Sequence, residues 1–100
     1  MDVSKVKLEF WMGEQFGWEK PGPQEMEFPI EEGESLLGLL NKLGEQIKNF
    51  DETIFNPRTQ TLSSEAIIVL NDSVKTLPEM PKTKLKKGDK ILFLLLLVGG

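Results

Sequence analysis

The chain has 100 residues, a formal net charge of −4, and neither cysteine nor histidine. This length fits one domain over residues 1–100, and we expect no second, catalytic domain. Without cysteine and histidine there are no disulfides, thiolate nucleophiles, imidazole bases or usual zinc ligands, so we expect neither an enzyme with catalytic residues of its own nor a metal site. The acidic balance also argues against nucleic-acid binding, which requires neutralisation of phosphates.

Neither end of the chain has the pattern of a membrane or export segment. The apolar run at residues 91–98 is much shorter than the roughly 20 residues that span a bilayer. Residues 1–5 lack the apolar core of a signal peptide. We therefore expect a cytoplasmic protein with no membrane contact.

Two strands are predicted in the first third of the chain, because apolar and polar residues alternate with period two. The apolar positions are Val6, Leu8 and Phe10 in the first strand and Met26, Phe28 and Ile30 in the second. Segment 13–24 between them is rich in glycine and proline and predicts a loop, so the two strands form an antiparallel hairpin. Pro29 cannot donate to a sheet ladder, which places the second strand at an edge.

An amphipathic helix is predicted from about Ser35 to Asn49, with Ser35 as its N-cap. Apolar residues recur on one face at spacings of four, three and four. They are Leu36, Leu40, Leu43 and Ile47. Gly38 and Gly44 each weaken the helix by about 1 kcal/mol relative to alanine, so the helix depends on packing against a sheet. Segment 51–59 reads as an irregular connection with its turn signal at Asn56-Pro57.

The second half of the chain predicts strands separated by tight turns. In order these are a strand at Ala66–Leu70, a turn at Asn71-Asp72, a short strand from Ser73, an extended coil over Leu77–Pro81 on the core, a turn at Lys87–Asp89 and a final strand from Lys90 to Val98. This order predicts an α+β fold, a mixed sheet of about four to five strands with one main helix on one face. The first and last strands are expected to be central, parallel neighbours.

The pair Gly99-Gly100 follows the final strand. Glycine has no Cβ and lets a partner's backbone or a phosphate come close, so a terminal carboxylate on this thin segment can enter another protein's active site. The plain alternative is a frayed terminus without function. The dipeptide alone does not separate the two readings.

Three segments resemble the sulfur-carrier branch of the ubiquitin-like β-grasp proteins, the MoaD/ThiS-like family. Residues 66–72 resemble the family's apolar strand and Asn-Gly type turn, residues 85–91 its Gly-Asp turn and final-strand entry, and residues 98–100 its carrier tail. The likeness covers nearly the whole chain. The long connection over residues 54–62 is most similar to archaeal-type MoaD-related proteins, among them molybdopterin synthase small subunits and small archaeal modifiers.

The chain departs from the family pattern at two places. Leu95-Leu96 stands where a Pro-Pro pair is usual, and Asp72 stands where glycine is usual. Asp tolerates the left-handed turn conformation, so the second departure is mild. Prolines would stiffen the backbone where it leaves the strand and would remove amide donors. The Leu95-Leu96 departure therefore affects how the tail fits the channel of a partner enzyme.

The resemblance implies a carrier that binds no cofactor itself. Gly100, with Gly99, would be the site at which an E1-like adenylyltransferase forms an acyl adenylate, consuming ATP and Mg²⁺. A sulfur donor would then displace AMP and leave a thiocarboxylate for an acceptor such as the molybdopterin synthase large subunit. Two alternatives stay open: a ubiquitin-like modifier conjugated to lysines of other proteins through Gly100, and an interaction domain that is never activated.

The final strand is apolar on both faces, although one helix covers only one of them. An exposed apolar patch on a small soluble protein usually marks a surface that binds a partner. By family likeness we expect such a surface on the final strand. Its predicted residues are Leu92, Leu94, Leu96, Leu97 and Val98. The alternative is that loop 13–24, with Phe16 and Trp18, folds over these side chains and buries them.

Overall fold

The described part of the chain, residues 4–11, 24–47 and 49–95 of this computed structural model, forms a five-stranded mixed sheet with a helix across one face. The strands are β1 (Ser4–Phe10), β2 (Gln24–Ile30), β3 (Phe55–Asn56), β4 (Thr61–Leu62), β5 (Ala66–Leu70), β6 (Ser73–Lys75) and β7 (Lys90–Leu95). The helices are α1 (Leu36–Gln46), α2 (Phe50–Thr53) and a 3₁₀ helix (Leu77–Lys82). Among the described helices, none has the length and apolar character to cross a membrane.

The main sheet has the strand order β2-β1-β7-β5-β6. β1 and β7 are parallel and central, and the other neighbours are antiparallel. The predicted α+β architecture is therefore confirmed, including the parallel pairing of the first and last strands.

β2 forms one edge of the sheet, as Pro29 predicted. The Lys7 N–H donates to the Asp89 carbonyl on the β7 side (2.8 Å), so the backbone groups of Val6 and Leu8 point towards β2. Pro29 lies opposite Lys5, at a position whose nitrogen points away from β1. No ladder bond is lost there, and the missing donor protects the edge from pairing with another strand.

The core lies between α1 and the sheet. Fully buried leucines from α1 are Leu36, Leu39, Leu40 and Leu43. From the sheet, Phe10 and Phe93 stack with ring centroids 4.6 Å apart, and Phe50 meets both rings edge-on at 6.5 and 5.7 Å. Such aromatic contacts add about 0.5–1.5 kcal/mol per pair beyond area burial. The parallel pairing of β1 with β7 is thus reinforced by its own side chains.

Helix α1 begins as predicted and ends earlier. The Ser35 hydroxyl accepts a hydrogen bond from the Gly38 N–H (3.1 Å) and so satisfies one free amide of the first turn. The helix stops at Gln46 instead of Asn49, and the half-buried Ile47 is extended. Asn49 takes a left-handed conformation (φ 68°), which asparagine accepts readily. This reversal lets α2 place Phe50 in the core.

Segment 51–59, predicted as irregular, contains most of α2 and all of β3, and β3 forms a small hairpin with β4 beyond it. Phe55 pairs with Leu62 and Asn56 with Thr61. The hairpin packs closely on α1, since a Cβ added at Gly44 would lie 2.7 Å from Cγ and Cδ of Pro57. The glycine that weakens the helix is what allows this contact.

Segment 77–81 was expected to be extended and is instead a 3₁₀ helix. Pro78 lies near its start, where a fixed φ suits the first turn. The Thr76 N–H donates to Glu79 Oε2 (3.3 Å) and the Glu79 N–H donates to the Thr76 carbonyl (3.0 Å). The predicted contact with the core is confirmed, because Met80 is fully buried.

Candidate partner surface beside the last strand

Side-chain hydrogen bonds between the Asn71-Asp72 turn and the Lys87–Asp89 turn hold the start of β7, and we call this group of hydrogen bonds the clip. Asn71 Nδ2 donates to Asp89 Oδ1 (2.9 Å), and the Lys90 N–H donates to Asn71 Oδ1 (2.9 Å). Asp89 Oδ2 accepts from the Lys86 N–H (2.8 Å). The clip fixes the register of β7 on β5, which gives a physical reason for Asn71 and Asp89 in the two turn motifs.

Both predicted turns contain left-handed backbone. Asn71 and Asp72 have φ values of 47° and 72°, and Gly88 has φ 85°. The β5–β6 hairpin is therefore a two-residue turn of the kind that needs positive φ at both central positions. Asp72 accepts this conformation in the place where the resemblance would have put glycine, as predicted.

β7 lies between β1 and β5 and is described to Leu95, which pairs with Ala66. The first leucine of the Leu95-Leu96 pair is therefore an ordinary strand residue. The predicted site residues beyond it lie outside the described residues: Leu96, Leu97, Val98, Gly99 and Gly100. Phe16 and Trp18 of the proposed covering loop also lie outside them.

Leu92 and Leu94 lie on the sheet face opposite α1. Their strand neighbours Ile91 and Phe93 are fully buried on the helix side, and successive strand residues point to opposite faces. Both leucines are half-buried. The structure brings three further apolar side chains to them, because Ile67 pairs with Leu94, Val69 with Leu92, and Val74 with Val69.

We call these five residues, Ile67, Val69, Val74, Leu92 and Leu94, the outer patch. Val74 at its margin is 62% exposed. On the β1 side, Trp11 directly follows the strand, its N–H donates to the Phe93 carbonyl (3.1 Å), and its side chain is 55% exposed. The patch therefore has exposed large apolar side chains on two sides.

Sequence reasoning missed Ile67, Val69 and Val74 as members of this surface. The needed signal lay in the period-two direction of side chains along β5 and in the Asn71-Asp72 turn. A two-residue hairpin places Val74 opposite Val69, but only the β5–β7 register shows that both lie beside Leu92. That register depends on a pairing between segments more than 20 residues apart in sequence.

A shallow hollow of about 220 Å³ lies along the lower margin of the outer patch. Its lining is formed by Glu9, Val69, Asn71, Asp72, Lys90 and Leu92. Lys90 Nζ lies 3.2 Å from Glu9 Oε2, with 18% of the Glu9 side chain exposed. Over the described ranges, no group of three or more carboxylates is arranged to hold a metal ion. The lining joins two apolar side chains of the outer patch, Val69 and Leu92, to the Lys90–Glu9 ion pair.

No protein-family model and no curated protein sequence matches this chain. Solved structures do. The crystal structure of SAMP1 from Haloferax volcanii is similar with a TM-score of 0.74 and 12% identity, over 96% of this chain and 99% of that one. The solution structure of Urm1 from Trypanosoma brucei has a TM-score of 0.67 and 20% identity, over 100% and 99%. The solution structure of small archaeal modifier protein 1 from Methanosarcina acetivorans has the same score and identity, over 100% of both chains.

At these sequence identities the likeness concerns the fold, and it extends over essentially the full length of this chain and of each compared chain. In this chain that fold is the strand order β2-β1-β7-β5-β6 with α1 on one face. The predicted resemblance to small archaeal modifiers is confirmed at this level. The chain thus has the ubiquitin-like β-grasp fold, and its structural neighbours include SAMP1 proteins and Urm1.

Proposed function

We propose that this chain is a protein carrier that is activated at the carboxylate of Gly100 by an E1-like adenylyltransferase. The observation that carries the proposal is the full-length β-grasp likeness to SAMP1 and Urm1 structures, taken together with the Gly99-Gly100 pair that follows the last strand. The proposed destination of the activated carboxylate is a thiocarboxylate for sulfur transfer, in molybdopterin-type cofactor biosynthesis.

The proposed chemistry starts from a group that is a poor electrophile. The Gly100 carboxylate would attack the α-phosphate of ATP, with Mg²⁺ in the partner's site, and release pyrophosphate. A sulfur donor would then attack the acyl carbon of the adenylate, and AMP would leave. Gly99 and Gly100 suit both steps, because side chains there would obstruct the approach of the nucleophile and a narrow entry channel.

The carrier's own contribution would be to bind and to position. The Asn71–Asp89 clip holds β7 in one register, so the segment that follows leaves a rigid sheet. The outer patch would contact the activating enzyme through Leu92 and Leu94, with Leu96, Leu97 and Val98 continuing the contact towards the catalytic centre. β7 and the residues after it would then serve both the docking of the activating enzyme and the activation of the Gly100 carboxylate.

A second candidate is a ubiquitin-like modifier that is joined to lysines of other proteins through Gly100. One structural neighbour is named small archaeal modifier protein 1 and another carries the abbreviation SAMP1 of the same name, which favours this candidate specifically. Both candidates use the same adenylate and differ in the nucleophile that follows, sulfur or a lysine amine.

The decisive measurement is the intact mass of the protein isolated from its native cell. Replacement of one carboxylate oxygen by sulfur supports the carrier, and attachment to lysines of other proteins supports the modifier. In a purified assay with the E1-like enzyme of the same genome, we expect Gly100→Ala to leave thermal unfolding unchanged and to abolish ATP–pyrophosphate exchange. A normal exchange rate for Gly100→Ala, or a native chain that continues past Gly100, contradicts the proposal.

The outer patch is tested by Leu94→Glu. We expect weaker binding to the activating enzyme with little change in the melting temperature, because Leu94 lies outside the core between α1 and the sheet. Thr61→Glu is the control, since this exposed residue is in β4, and the β3–β4 hairpin packs on α1. A large loss of thermal stability in Leu94→Glu alone would instead favour burial under the loop at residues 13–24.

A further inference from the structure

We infer that the outer patch is one half of a two-part docking surface whose other half, Glu9 and Glu25, receives an arginine or lysine side chain of the activating enzyme. The inference rests on the proposed function for the identity of that enzyme. It specifies what the enzyme's docking surface must look like: apolar side chains beside a basic one.

The two halves are adjacent because a single row of side chains crosses the whole sheet. Val74 pairs with Val69, Val69 with Leu92, Leu92 with Glu9, and Glu9 with Glu25. Directly paired residues point to the same face. The row is therefore apolar on β6, β5 and β7 and acidic on β1 and β2, all on the face opposite α1.

The acidic end of the row contains an unfavourable pair. Glu9 and Glu25 are directly opposite on antiparallel strands, and like charges in this position destabilise a sheet. Lys90 offsets one of them by its 3.2 Å contact with Glu9. Within ranges 4–11, 24–47 and 49–95, no cation lies within ion-pair distance of the exposed Glu25. Among these residues, Glu25 thus meets a like charge across the ladder and has no ion pair.

The neighbouring position on the same two strands shows the contrast. Two residues along β2, Glu27 lies opposite Lys7, an arrangement of opposite charges that favours pairing. Lys7 lines a surface hollow together with Glu25 and Glu27, and within the described ranges it forms an ion pair with neither. What differs beside the patch is the residue directly across the ladder, a glutamate for Glu25 and a lysine for Glu27. A cation supplied by a partner would remove the repulsion only in the complex, so it would strengthen binding.

Distances in the row define the partner's chemistry further. Leu92 and Glu25 are separated by two strand spacings, about 10 Å. A partner whose apolar side chains cover Leu92 and Val69 must place its basic group within that distance. An arginine fits best, because its planar guanidinium can donate to two carboxylates at once.

The experiment compares Glu25→Lys, Glu25→Gln and the control Glu27→Lys in the full chain. The probe is the purified E1-like adenylyltransferase of the same genome, with affinity measured by calorimetry and activation by ATP–pyrophosphate exchange. We expect Glu25→Lys to raise the melting temperature by about 2 °C and yet to weaken binding about tenfold. Glu25→Gln should fall between wild type and Glu25→Lys in both measurements.

The control variant should behave in the opposite way. Glu27→Lys places two lysines opposite each other, so it should lower the melting temperature and leave affinity within about twofold of wild type. The wild-type association rate should fall with added salt, and that dependence should weaken in Glu25→Gln.

Several outcomes would overturn the inference. Unchanged affinity in Glu25→Lys would show that no cation is received there. A drop in its melting temperature would show that Glu25 is paired within the chain. Loss of a homodimer in sedimentation of Glu25→Lys would show that the occupant is a second copy. If wild type itself is not activated, the proposed function fails; if it is activated and insensitive to Glu25, only this inference fails.

Discussion

Replacing Gly44 with alanine tests whether the β3–β4 hairpin is docked on α1. Gly44 lies inside the helix, and a Cβ at this position would come within 2.7 Å of both Cγ and Cδ of Pro57 and 3.4 Å of the Phe55 carbonyl oxygen. The pyrrolidine ring cannot swing aside as the end of a flexible side chain can. The hairpin must therefore shift as a unit or the helix must move.

The size of the effect follows from two opposing contributions. Alanine in a helix interior is favoured over glycine by about 1 kcal/mol. Forcing extra atoms into a packed contact costs about 1–3 kcal/mol. The expected net result for Gly44→Ala is a loss of about 1 kcal/mol in the free energy of unfolding, set by the larger steric contribution.

Gly38→Ala is the matched control on the same helix. A Cβ there meets Ser35 Oγ at 3.4 Å and Glu34 Cγ at 3.5 Å, which are ordinary contacts. This variant should gain up to about 1 kcal/mol. The two variants should then differ by about 2 kcal/mol, or about 10 °C in melting temperature.

Urea and thermal unfolding monitored by circular dichroism measure both variants. Pro57→Ala removes the ring atoms that a Cβ at position 44 would strike, so the double variant Gly44→Ala/Pro57→Ala should recover most of the steric loss. A Gly44→Ala variant as stable as Gly38→Ala would refute the docked hairpin. Additive effects in the double variant would place the cost somewhere other than Pro57.

Two further predictions concern side-chain contacts that hold the scaffold of the site. Asn71→Gly keeps a residue that accepts φ 47° but removes both clip hydrogen bonds of Asn71, so it should lower the free energy of unfolding in urea by about 1–2 kcal/mol. Asn71→Ala should lower it more, because alanine is strained at positive φ. A glycine variant as stable as wild type would show that the clip contributes nothing to stability. Lys42→Met leaves the Glu34 carboxylate, 7% exposed and 2.8 Å from Lys42 Nζ, without its cation, at a cost of about 1–3 kcal/mol. Adding Glu34→Gln should restore part of that loss, and no recovery would mean that the pair is not coupled.

Local patterns were sufficient for most of the main sheet. Alternation of apolar residues located β1 and β2, Pro29 identified the edge, and Asn71-Asp72 identified the hairpin. These features depend on neighbours a few residues apart, where periodicity and backbone preference act directly. One boundary failed because a distant contact set it: α1 ends early because Phe50 is drawn to the Phe10–Phe93 pair in the core. The 3₁₀ helix at Leu77–Lys82 was missed although its capping hydrogen bonds are local.

The partner surface shows the same division. Leu92 and Leu94 could be singled out because an unbroken apolar strand under one helix must leave one face uncovered, which is a matter of counting faces. The remaining patch residues and the Glu9–Glu25 pair could not be predicted from the sequence. Strand register brings together segments that are distant in the chain, and no local sequence pattern connects them. The sequence pattern alone thus identified the fold class and the Gly99-Gly100 pair. Only the tertiary structure placed Val69 beside Leu92 and Glu9 beside Glu25. The physical reason is that cross-strand neighbours exist only after strands distant in sequence have paired.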